Sequence, residues 1–252
     1  MFSIIKNRIK QGYKTSKYPL KEIMLPEKYR GLPSINKDCE KNTIITCAIN
    51  CPTQAINASE QSLDLGRCVF CGLCEEISDG TFIKFTRNYK TGASDRRQLT
   101  LYSDDLKDLE ISTNKYFKKL FGRSLQIRQV SAGGCNACEA DLNVLNTPFF
   151  DISRFGIQFV ASPRHADAIM VTGPITRNMK NALIRTFEAT PDPKIVIASG
   201  TCSISGGIFR GSSEQLNGLD SILKADLYIP GCPPHPLTVL HSLLKYLGII
   251  KS

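Results

Sequence analysis

The sequence has no long apolar stretch. Its longest apolar pieces, such as KIVIAS at residues 194–199 and DAIMV at residues 167–171, are far shorter than the ~20 residues that span a bilayer. The first twelve residues, MFSIIKNRIKQG, place charges among apolar side chains, so they do not predict a signal peptide. We therefore expect the chain to stay in the cytoplasm unless a partner carries it elsewhere.

Acidic residues are scarce at the start of the chain. Residues 1–30 contain eight Lys or Arg and two Glu, so this segment carries +6 of the total charge of +9. The remainder is close to neutral, which argues against a nucleic-acid-binding protein. Apolar residues recur here at steps of three and four, at Phe2, Ile5, Ile9 and Tyr13. We predict a basic docking arm with a short amphipathic helix, suited to an acidic subunit or an anionic membrane surface, and a solvated basic tail is the alternative.

One cysteine is missing from a motif that favours an iron–sulfur site. The stretch RCVFCGLCEEISDG, residues 67–80, spaces three cysteines as a ferredoxin does: Cys68, Cys71 and Cys74. The motif normally closes with Cys-Pro four residues after the third cysteine, and Ser78 stands there instead. Ten cysteines in a chain expected in the cytoplasm are more often metal ligands than disulfides. The fourth ligand must then come from another part of the chain.

An internal repeat offers that ligand. Aligning the sequence with itself so that Cys47 falls on Cys74 places CPTQAI, residues 51–56, over SDGTFI, residues 78–83. The repeat resembles the duplication in a two-cluster bacterial ferredoxin, where the fourth cysteine of each half ligates the cluster of the other half. Cys51 is therefore predicted to complete one four-iron site. We call this set the first quartet: Cys51, Cys68, Cys71 and Cys74.

The other half of the repeat lacks a complete set of ligands. Lys41 and Ile44 occupy its first two positions and Ser78 its fourth, so only Cys47 remains in register. Cys39 lies two residues off register, and two cysteines do not bind a four-iron cluster. At the first quartet zinc is the alternative metal, but zinc ribbons usually use two CxxC pairs well separated in sequence. The pattern therefore predicts one surviving cluster in this part of the chain.

Beyond residue 124 the sequence alternates between strands and helices. Short apolar runs predict buried strands at residues 125–130, 156–161, 166–173, 194–200 and 225–231. Helices are predicted at residues 137–146, 178–190 and 236–248. Such alternation favours a parallel sheet with helices on its faces, an α/β fold of the flavodoxin-like kind.

Four cysteines follow strands of this predicted sheet. We call them the second quartet: Cys135, Cys138, Cys202 and Cys232. Ligands of open α/β sheets collect beyond the carboxyl ends of the strands, so three loops far apart in sequence are predicted to bring four thiolates together. The glycines around them would allow close backbone approach and N–H donation to sulfur. Four unconnected buried cysteines are the alternative.

Several of these segments resemble a known family. GGCNACEADL, PRHADAIMVTGPITRNM, PDPKIVIASGTCSISGGIF and YIPGCPPHP resemble the small subunit of formate-hydrogenlyase-type, energy-converting [NiFe] hydrogenases, over about residues 120–250. MFSIIKNRIKQG, SKYPL, YRGLP and LGRCVFCGLCEE are similar to the ferredoxin-like subunit of the same complexes. The chain thus resembles a fusion of two subunits, each of which is related to a subunit of NADH:quinone oxidoreductase. The spacing CNAC resembles the hydrogenase branch, since the quinone oxidoreductase homologue has adjacent cysteines there.

The resemblance implies an electron-transfer subunit of a membrane-bound [NiFe] hydrogenase complex, non-catalytic by itself. Two [4Fe-4S] clusters, one at each quartet, would relay electrons to or from the large-subunit active site. The implied partners are a [NiFe] hydrogenase-type large subunit, membrane-arm subunits, and an upstream redox donor subunit or ferredoxin, without nucleic acid. The implied location is peripheral, at the cytoplasmic face of the cell (inner) membrane. The alternatives are the equivalent subunit of a nickel-free respiratory complex that reduces a quinone or another acceptor, and a free-standing soluble electron carrier.

The predicted organisation has four parts. Residues 1–32 form the basic N-terminal docking arm, and residues 33–100 a degenerate bacterial-ferredoxin-like α+β domain with one [4Fe-4S] site. A linker helix is predicted within residues 101–124, between Ser112 or Thr113 and Gly122. Residues 125–252 form the hydrogenase small-subunit-like α/β domain with the other [4Fe-4S] site.

Glu139 is the candidate for a role in proton transfer. It directly follows Cys138, and a carboxylate beside a cluster could relay protons toward the partner's metal site. The alternative is an acid in the first turn of a helix, stabilised there by the helix dipole. His165 and His235 could tune or face a cluster, although a lone histidine is more often a packing or surface residue.

Overall fold

A solvent-exposed helix precedes two groups of strands and helices in the computed structural model, which describes residues 2–102, 109–113, 119–121 and 124–250. Helix α1 spans Phe2–Gln11, as the spacing of its apolar residues predicts, and none of its residues is buried. Phe2 and Ile9 are 89% and 77% exposed. The helix therefore presents apolar and basic side chains to solvent.

The first group of elements consists of two successive strand–helix–strand units. They are β1 (Pro33–Ile35), α2 (Lys41–Asn50), β2 (Ile56–Asn57), and then β3 (Ser62–Asp64), α3 (Leu73–Ile77), β4 (Ile83–Phe85). Strand β1 pairs antiparallel with β4, and β2 with β3, so each unit contributes one strand to each pair. Strand β5 (Thr100–Leu101) extends the second pair along β3. Ile56 and Ile83, which the sequence repeat superposes, lie on equivalent strands of the two units.

The second group is built on a five-stranded parallel sheet. Its strands are β6 (Leu125–Ser131), β7 (Ile157–Phe159), β8 (Ala168–Thr172), β9 (Ile195–Ser199) and β10 (Leu227–Ile229). They lie in the order β7-β6-β8-β9-β10, the flavodoxin-like order whose switch point falls between the first and third strands. Every residue of β8, β9 and β10 is buried, as expected for a parallel sheet covered on both faces. The five strands and the fold class predicted from sequence are confirmed.

Three helices of the second group lie between successive strands of the sheet, and a fourth follows β10. They are α4 (Ala137–Val144), α5 (Arg177–Ala189), α6 (Thr201–Ser205) and α7 (Pro236–Tyr246). Helix α7 begins with proline, which needs no hydrogen bond at that position, and the His235 side chain accepts the N–H of Leu237 at 3.1 Å. This cap gives His235 a structural role. Among the described residues, no helix combines the length and apolarity needed to cross a membrane.

One apolar core joins the two groups. Leu65 and Phe82 from the first group and Val171, Ala198 and Ile204 from the second belong to the same cluster of buried residues. The main chain also connects them, because Ala93 and Tyr228 of β10 exchange N–H···O bonds of 3.0 and 2.8 Å. The first group is therefore packed against the edge and one face of the parallel sheet.

The segment predicted as a docking arm has two different environments. Helix α1 is exposed, whereas Tyr18 is 4% exposed and its hydroxyl lies 2.6 Å from Nδ1 of His241 on α7. Arg154 donates hydrogen bonds of 2.7 Å to the carbonyl oxygens of Ser16 and Tyr18. Residues 16–18 are thus fixed on the second group, whereas α1 makes no buried contact with it. The predicted linker helix falls largely on residues 114–118 and 122–123, which lie outside the described residues.

Candidate metal centres

The cysteines of the first quartet line one pocket. Its walls are mostly apolar and include Ile56, Leu63 and Phe85. Cys47 is not among the residues lining the pocket, although it lies only four residues before Cys51. The structure therefore brings Cys51, and not Cys47, to the pocket of the CxxCxxC motif.

Burial of the first quartet disfavours the ionised form of its thiols when they are free. Burial raises the pKa of Cys74 to about 12, and the neighbouring thiols Cys47, Cys71 and Cys51 add to the shift. Burial also raises the pKa of Cys68. Backbone N–H groups of Phe70 and Ala55 donate to the sulfurs of Cys68 and Cys51, each at 3.3 Å, and such donors stabilise thiolates. Four thiolates gathered here would repel one another unless a cationic group offset their charge, as iron would if a cluster were bound.

A guanidinium group lies against the loop of the CxxCxxC motif. Gly72 stands between Cys71 and Cys74 with φ +84°, and any Cβ at this position would clash with the guanidinium of Arg30. Glycine at this position therefore permits both the positive φ of the turn and the close approach of the Arg30 guanidinium. Sequence reasoning missed Arg30, because nothing in YRGLP indicates a contact with a loop so much further along the chain.

The second quartet lies where three parallel strands end. Cys135 and Cys138 follow β6, Cys202 lies in the first turn of α6 after β9, and Cys232 follows β10. Burial raises the pKa of Cys138 to about 12, and Glu139 and the other three cysteines raise it further. Burial likewise raises the pKa of Cys202 to about 11, with contributions from Cys232, Cys135 and Glu139. The geometry shows that the three loops meet, because Gly200, two residues before Cys202, lies close to both Sγ of Cys138 and the carbonyl oxygen of Gly231, which precedes Cys232.

Two glycines allow the second quartet to assemble. A Cβ on Gly200, which has φ +95°, would lie 2.7 Å from Sγ of Cys138. A Cβ on Gly207, which has φ +55°, would lie 2.8 Å from Sγ of Cys202. Real carbon atoms do not approach sulfur so closely, so both positions need glycine for space as well as for backbone conformation.

The donor sets fit iron–sulfur chemistry. Each quartet consists of cysteines alone, the ligand type of four-iron clusters. Within the described ranges, no group of three or more His, Cys, Asp or Glu is arranged to hold a single metal ion.

In the half of the repeat that lacks a complete set of ligands, the polar side chains form local hydrogen bonds. The thiol of Cys47 donates to the carbonyl oxygen of Cys74 at 3.5 Å, and the Ser78 hydroxyl donates to the same oxygen at 2.8 Å. Sγ of Cys39 lies 3.6 Å from Oγ1 of Thr81. Cys39 and Cys47 are therefore engaged with the main chain and a hydroxyl of the second strand–helix–strand unit.

Glu139 is held by hydroxyl groups at the end of the sheet. Thr172 donates to Oε1 of Glu139 at 2.6 Å. Burial alone would raise the pKa of Glu139, but hydrogen bonds from Ser131 and Thr172 outweigh it and keep the pKa below its ordinary value. Sequence reasoning missed both hydroxyl partners, which come from the ends of β6 and β8. The structure thus places a carboxylate beside Cys138.

One hydroxyl group lies between the two quartets. Thr201 is 1% exposed, and its Oγ1 lies 2.8 Å from the carbonyl oxygen of Cys68 and 3.1 Å from that of Gly231. It directly precedes Cys202 in the chain. Sequence reasoning missed Thr201, because its partner Cys68 is 133 positions away and no local pattern connects them.

Similarity to known proteins covers the second group. Residues 135–246, which contain the whole second quartet, match the family described as NADH ubiquinone oxidoreductase, 20 Kd subunit. The chain is 43% identical over 126 residues to the probable membrane-bound hydrogenase subunit mbhJ of Pyrococcus furiosus, which covers 50% of this chain and 75% of that subunit. The chain belongs to this family of NADH ubiquinone oxidoreductase subunits.

Another relative and one solved structure are also similar to about half of the chain. Formate hydrogenlyase subunit 7 of Escherichia coli is 44% identical over 134 residues, 53% of this chain and 52% of that subunit, so the chain spans about half the length of this relative. A chain in the structure of the membrane-bound sulfane sulfur reductase, an archaeal respiratory membrane complex, is 34% identical, with a TM-score of 0.47, covering 53% of this chain and 74% of that one. Membership of the family agrees with the resemblance of residues 120–250. The ferredoxin-like origin of the first group stays a prediction.

Proposed function

We propose that the chain is the iron–sulfur electron-transfer subunit of a membrane-bound, formate-hydrogenlyase-like [NiFe] hydrogenase complex. The observation that carries this proposal is the convergence, at the ends of β6, β9 and β10, of the loops with Cys135, Cys138, Cys202 and Cys232, within the segment that matches the family. Two [4Fe-4S] clusters, held by the first and second quartets, would supply one-electron transfer. The chain itself binds and insulates them and carries out no chemistry on a substrate.

The exposure of the cysteines supports a route for the relay. In the first quartet Cys68 is buried and Cys71 is exposed, so one edge of that site faces solvent. In the second quartet Cys135 and Cys232 are both exposed, at the open edge of the sheet. This edge is where a hydrogenase-type large subunit would dock, and the upstream donor would approach Cys71. Electrons then enter or leave at two different surfaces of the chain.

The first group would be a degenerate ferredoxin-like domain at residues 33–100. Its two strand–helix–strand units, paired across one another, support an internal duplication. The local bonds of Cys39, Cys47 and Ser78 support the loss of a second cluster from this domain. The chain would then be a fusion of two subunits that act in sequence.

A nickel-free respiratory complex that reduces a quinone or another acceptor is the second candidate. The family description, NADH ubiquinone oxidoreductase, favours it. The two candidates differ in the partner's metal and acceptor, and the electron-transfer role of this chain is the same in both.

Isolation of the complex through a tag on this chain tests the proposal. We expect a co-purifying large subunit that contains nickel, and hydrogen evolution when a low-potential donor reduces the complex. A nickel-free partner together with quinone reduction would support the second candidate instead. A chain purified from its own host as a monodisperse monomer with no partner would contradict both and indicate a soluble carrier.

We also infer that α1 binds an anionic membrane surface. The helix exposes apolar residues beside Lys6, Arg8 and Lys10 with none of its residues buried, the combination found in interfacial helices. Replacing the three basic residues by Gln should weaken binding to vesicles that contain phosphatidylglycerol by roughly a hundredfold, since each cation near such a surface is worth about 1 kcal/mol. Sedimentation with anionic and neutral vesicles measures this. Equal binding to both vesicle types, or binding that requires an acidic subunit, would contradict it.

Glu139→Gln tests the proton-relay hypothesis. The substitution keeps the shape and the hydrogen bond with Thr172 but removes the ionisable group. If Glu139 relays protons, hydrogen evolution by the complex should fall roughly ten- to a thousandfold. Cluster content and reduction by an artificial donor should stay normal, because no thiolate is changed. Asp141→Asn, two residues further along α4, is the matched control.

Wild-type turnover of the Glu139→Gln complex would remove Glu139 from proton transfer. A structural role at the start of α4 predicts that outcome, with a stability loss of about 0.3–1 kcal/mol. A changed reduction potential of the second cluster without a change in the proton-dependent rate would assign the residue an electrostatic role only.

A further inference from the structure

We propose that Thr201 is a positioning residue that fixes the two quartets relative to each other and provides the hydrogen bond through which they communicate. The inference rests on the proposed function, because it concerns electron transfer between two clusters. Its basis is a hydroxyl group that lies between a ligand of the first quartet and the loops of the second.

The hydroxyl of Thr201 has a clear preference between its two acceptors. The carbonyl oxygen of Gly231 already accepts the backbone N–H of Thr201 at 2.9 Å, and Oγ1 lies 3.1 Å from it. The carbonyl oxygen of Cys68 is nearer, at 2.8 Å from Oγ1. Because Thr201 is 1% exposed, water does not compete for this bond. The stronger hydrogen bond of the hydroxyl therefore reaches across to the first quartet.

At the start of α6, the side chains of Thr201 and Cys202 point in different directions. Gly200, with φ +95°, allows the sharp turn from β9 into α6, where Thr201 and Cys202 are consecutive. Consecutive residues on a helix point about 100° apart. Cys202 thus joins the second quartet while Thr201 contacts Cys68 of the first.

The same bond gives a short bonded connection between the quartets. It runs from Cys68 through its own carbonyl group, across one hydrogen bond to Thr201, and over one peptide bond to Cys202. Nearby packing fixes this spacing, since a Cβ on Gly66 would lie 2.8 Å from the side chain of Ile204.

Each transfer moves one electron, so the donor side is oxidised by one electron and the acceptor side is reduced by one. No atom and no proton is transferred.

Thr201→Val and Thr201→Ser together test the inference on the full chain. Valine keeps the shape of threonine without the hydroxyl, and serine keeps the hydroxyl. Ser203→Ala is the matched control, because Ser203 is a buried residue of the same helix whose hydroxyl donates to Gly200 at 3.0 Å within its own loop. The readouts are the rate of electron transfer between the clusters after flash reduction, and amide hydrogen exchange at residues 66–70.

For Thr201→Val we expect electron transfer between the clusters to slow, because the Cys68 loop is no longer held at a fixed distance from Cys202. Hydrogen exchange at residues 66–70 should rise by roughly five- to tenfold, the factor that one buried hydrogen bond contributes to stability. Thr201→Ser and Ser203→Ala should match the wild type in both. A wild-type rate and wild-type exchange in Thr201→Val, or a serine variant as impaired as the valine variant, would overturn the inference. If the valine variant loses its clusters, exchange at residues 66–70 is compared among the cluster-free forms of wild type, Thr201→Val and Thr201→Ser, and equal exchange in all three would overturn the inference.

The two proposals fail in different ways. Wild-type chain without two clusters would contradict the proposed function, while the exchange comparison would still test the Thr201 bond. Two intact clusters with transfer and exchange unaffected by Thr201→Val would contradict only the role of Thr201.

Discussion

Cys51→Ala is expected to remove the cluster of the first quartet and lower the iron content from about eight to about four per chain. Cys51 shares the apolar pocket of the CxxCxxC motif, and the internal repeat assigns it as the fourth ligand. Three cysteines leave one iron without a thiolate in a site where Cys68 and Cys74 are substantially buried. Iron analysis and electron paramagnetic resonance spectra of the purified variant measure the loss.

Cys47→Ala is the matched control for this prediction. Cys47 is 1% exposed and lies near the same motif, but its thiol donates to the carbonyl oxygen of Cys74 and does not line the pocket. We expect both clusters to remain, with a stability loss of about 1 kcal/mol from the removed buried atom. Equal loss of iron in the two variants would show that the register of the repeat is wrong.

Gly200→Ala is expected to remove the other cluster and leave the first quartet loaded. The new Cβ would lie 2.7 Å from Sγ of Cys138, so the sulfur or the strand end must move. A displacement of this size at one ligand disrupts a cluster that needs four correctly placed thiolates. The expected iron content is again about four per chain, now with the spectrum of the first cluster retained.

Gly211→Ala is the control for replacing a glycine of positive φ where the new side chain meets no neighbour. Gly211 has φ +84°, close to the +95° of Gly200, and a Cβ there would meet nothing within 4 Å. Both substitutions place a side chain at positive φ, and the ψ of 149° at Gly200 adds a backbone cost there, since that region is essentially restricted to glycine. We expect Gly211→Ala to keep about eight irons. Loss of the second cluster in both variants would mean that general destabilisation, and not the contact with Cys138, removes it.

The parallel sheet could be predicted because its signals are local. Runs such as KIVIAS are short, apolar and rich in β-branched residues, and they alternate with amphipathic helices, which fixes both element type and sheet type. The positions of Cys135, Cys202 and Cys232 then follow, since the carboxyl ends of parallel strands meet at one edge. The single turn of α6 was not predicted, because five residues carry too little periodicity.

The remaining features depend on contacts between distant parts of the chain. Tyr18 is buried because His241 and Arg154 bind its hydroxyl and its carbonyl group, and a basic arm shows no sign of this in sequence. The approach of Arg30 to Gly72 and the bond from Thr201 to Cys68 likewise connect different loops. Such pairs become visible only when the two groups of elements are packed together.

Iron, zinc and nickel analysis of the anaerobically purified wild-type chain, with electron paramagnetic resonance of its reduced form, tests most directly whether two four-iron clusters are present. We predict about eight irons per chain, no nickel, and the signals of two reduced [4Fe-4S] clusters. Stoichiometric zinc, or a third cluster that recruits Cys39 and Cys47, would contradict the assignment of the two quartets.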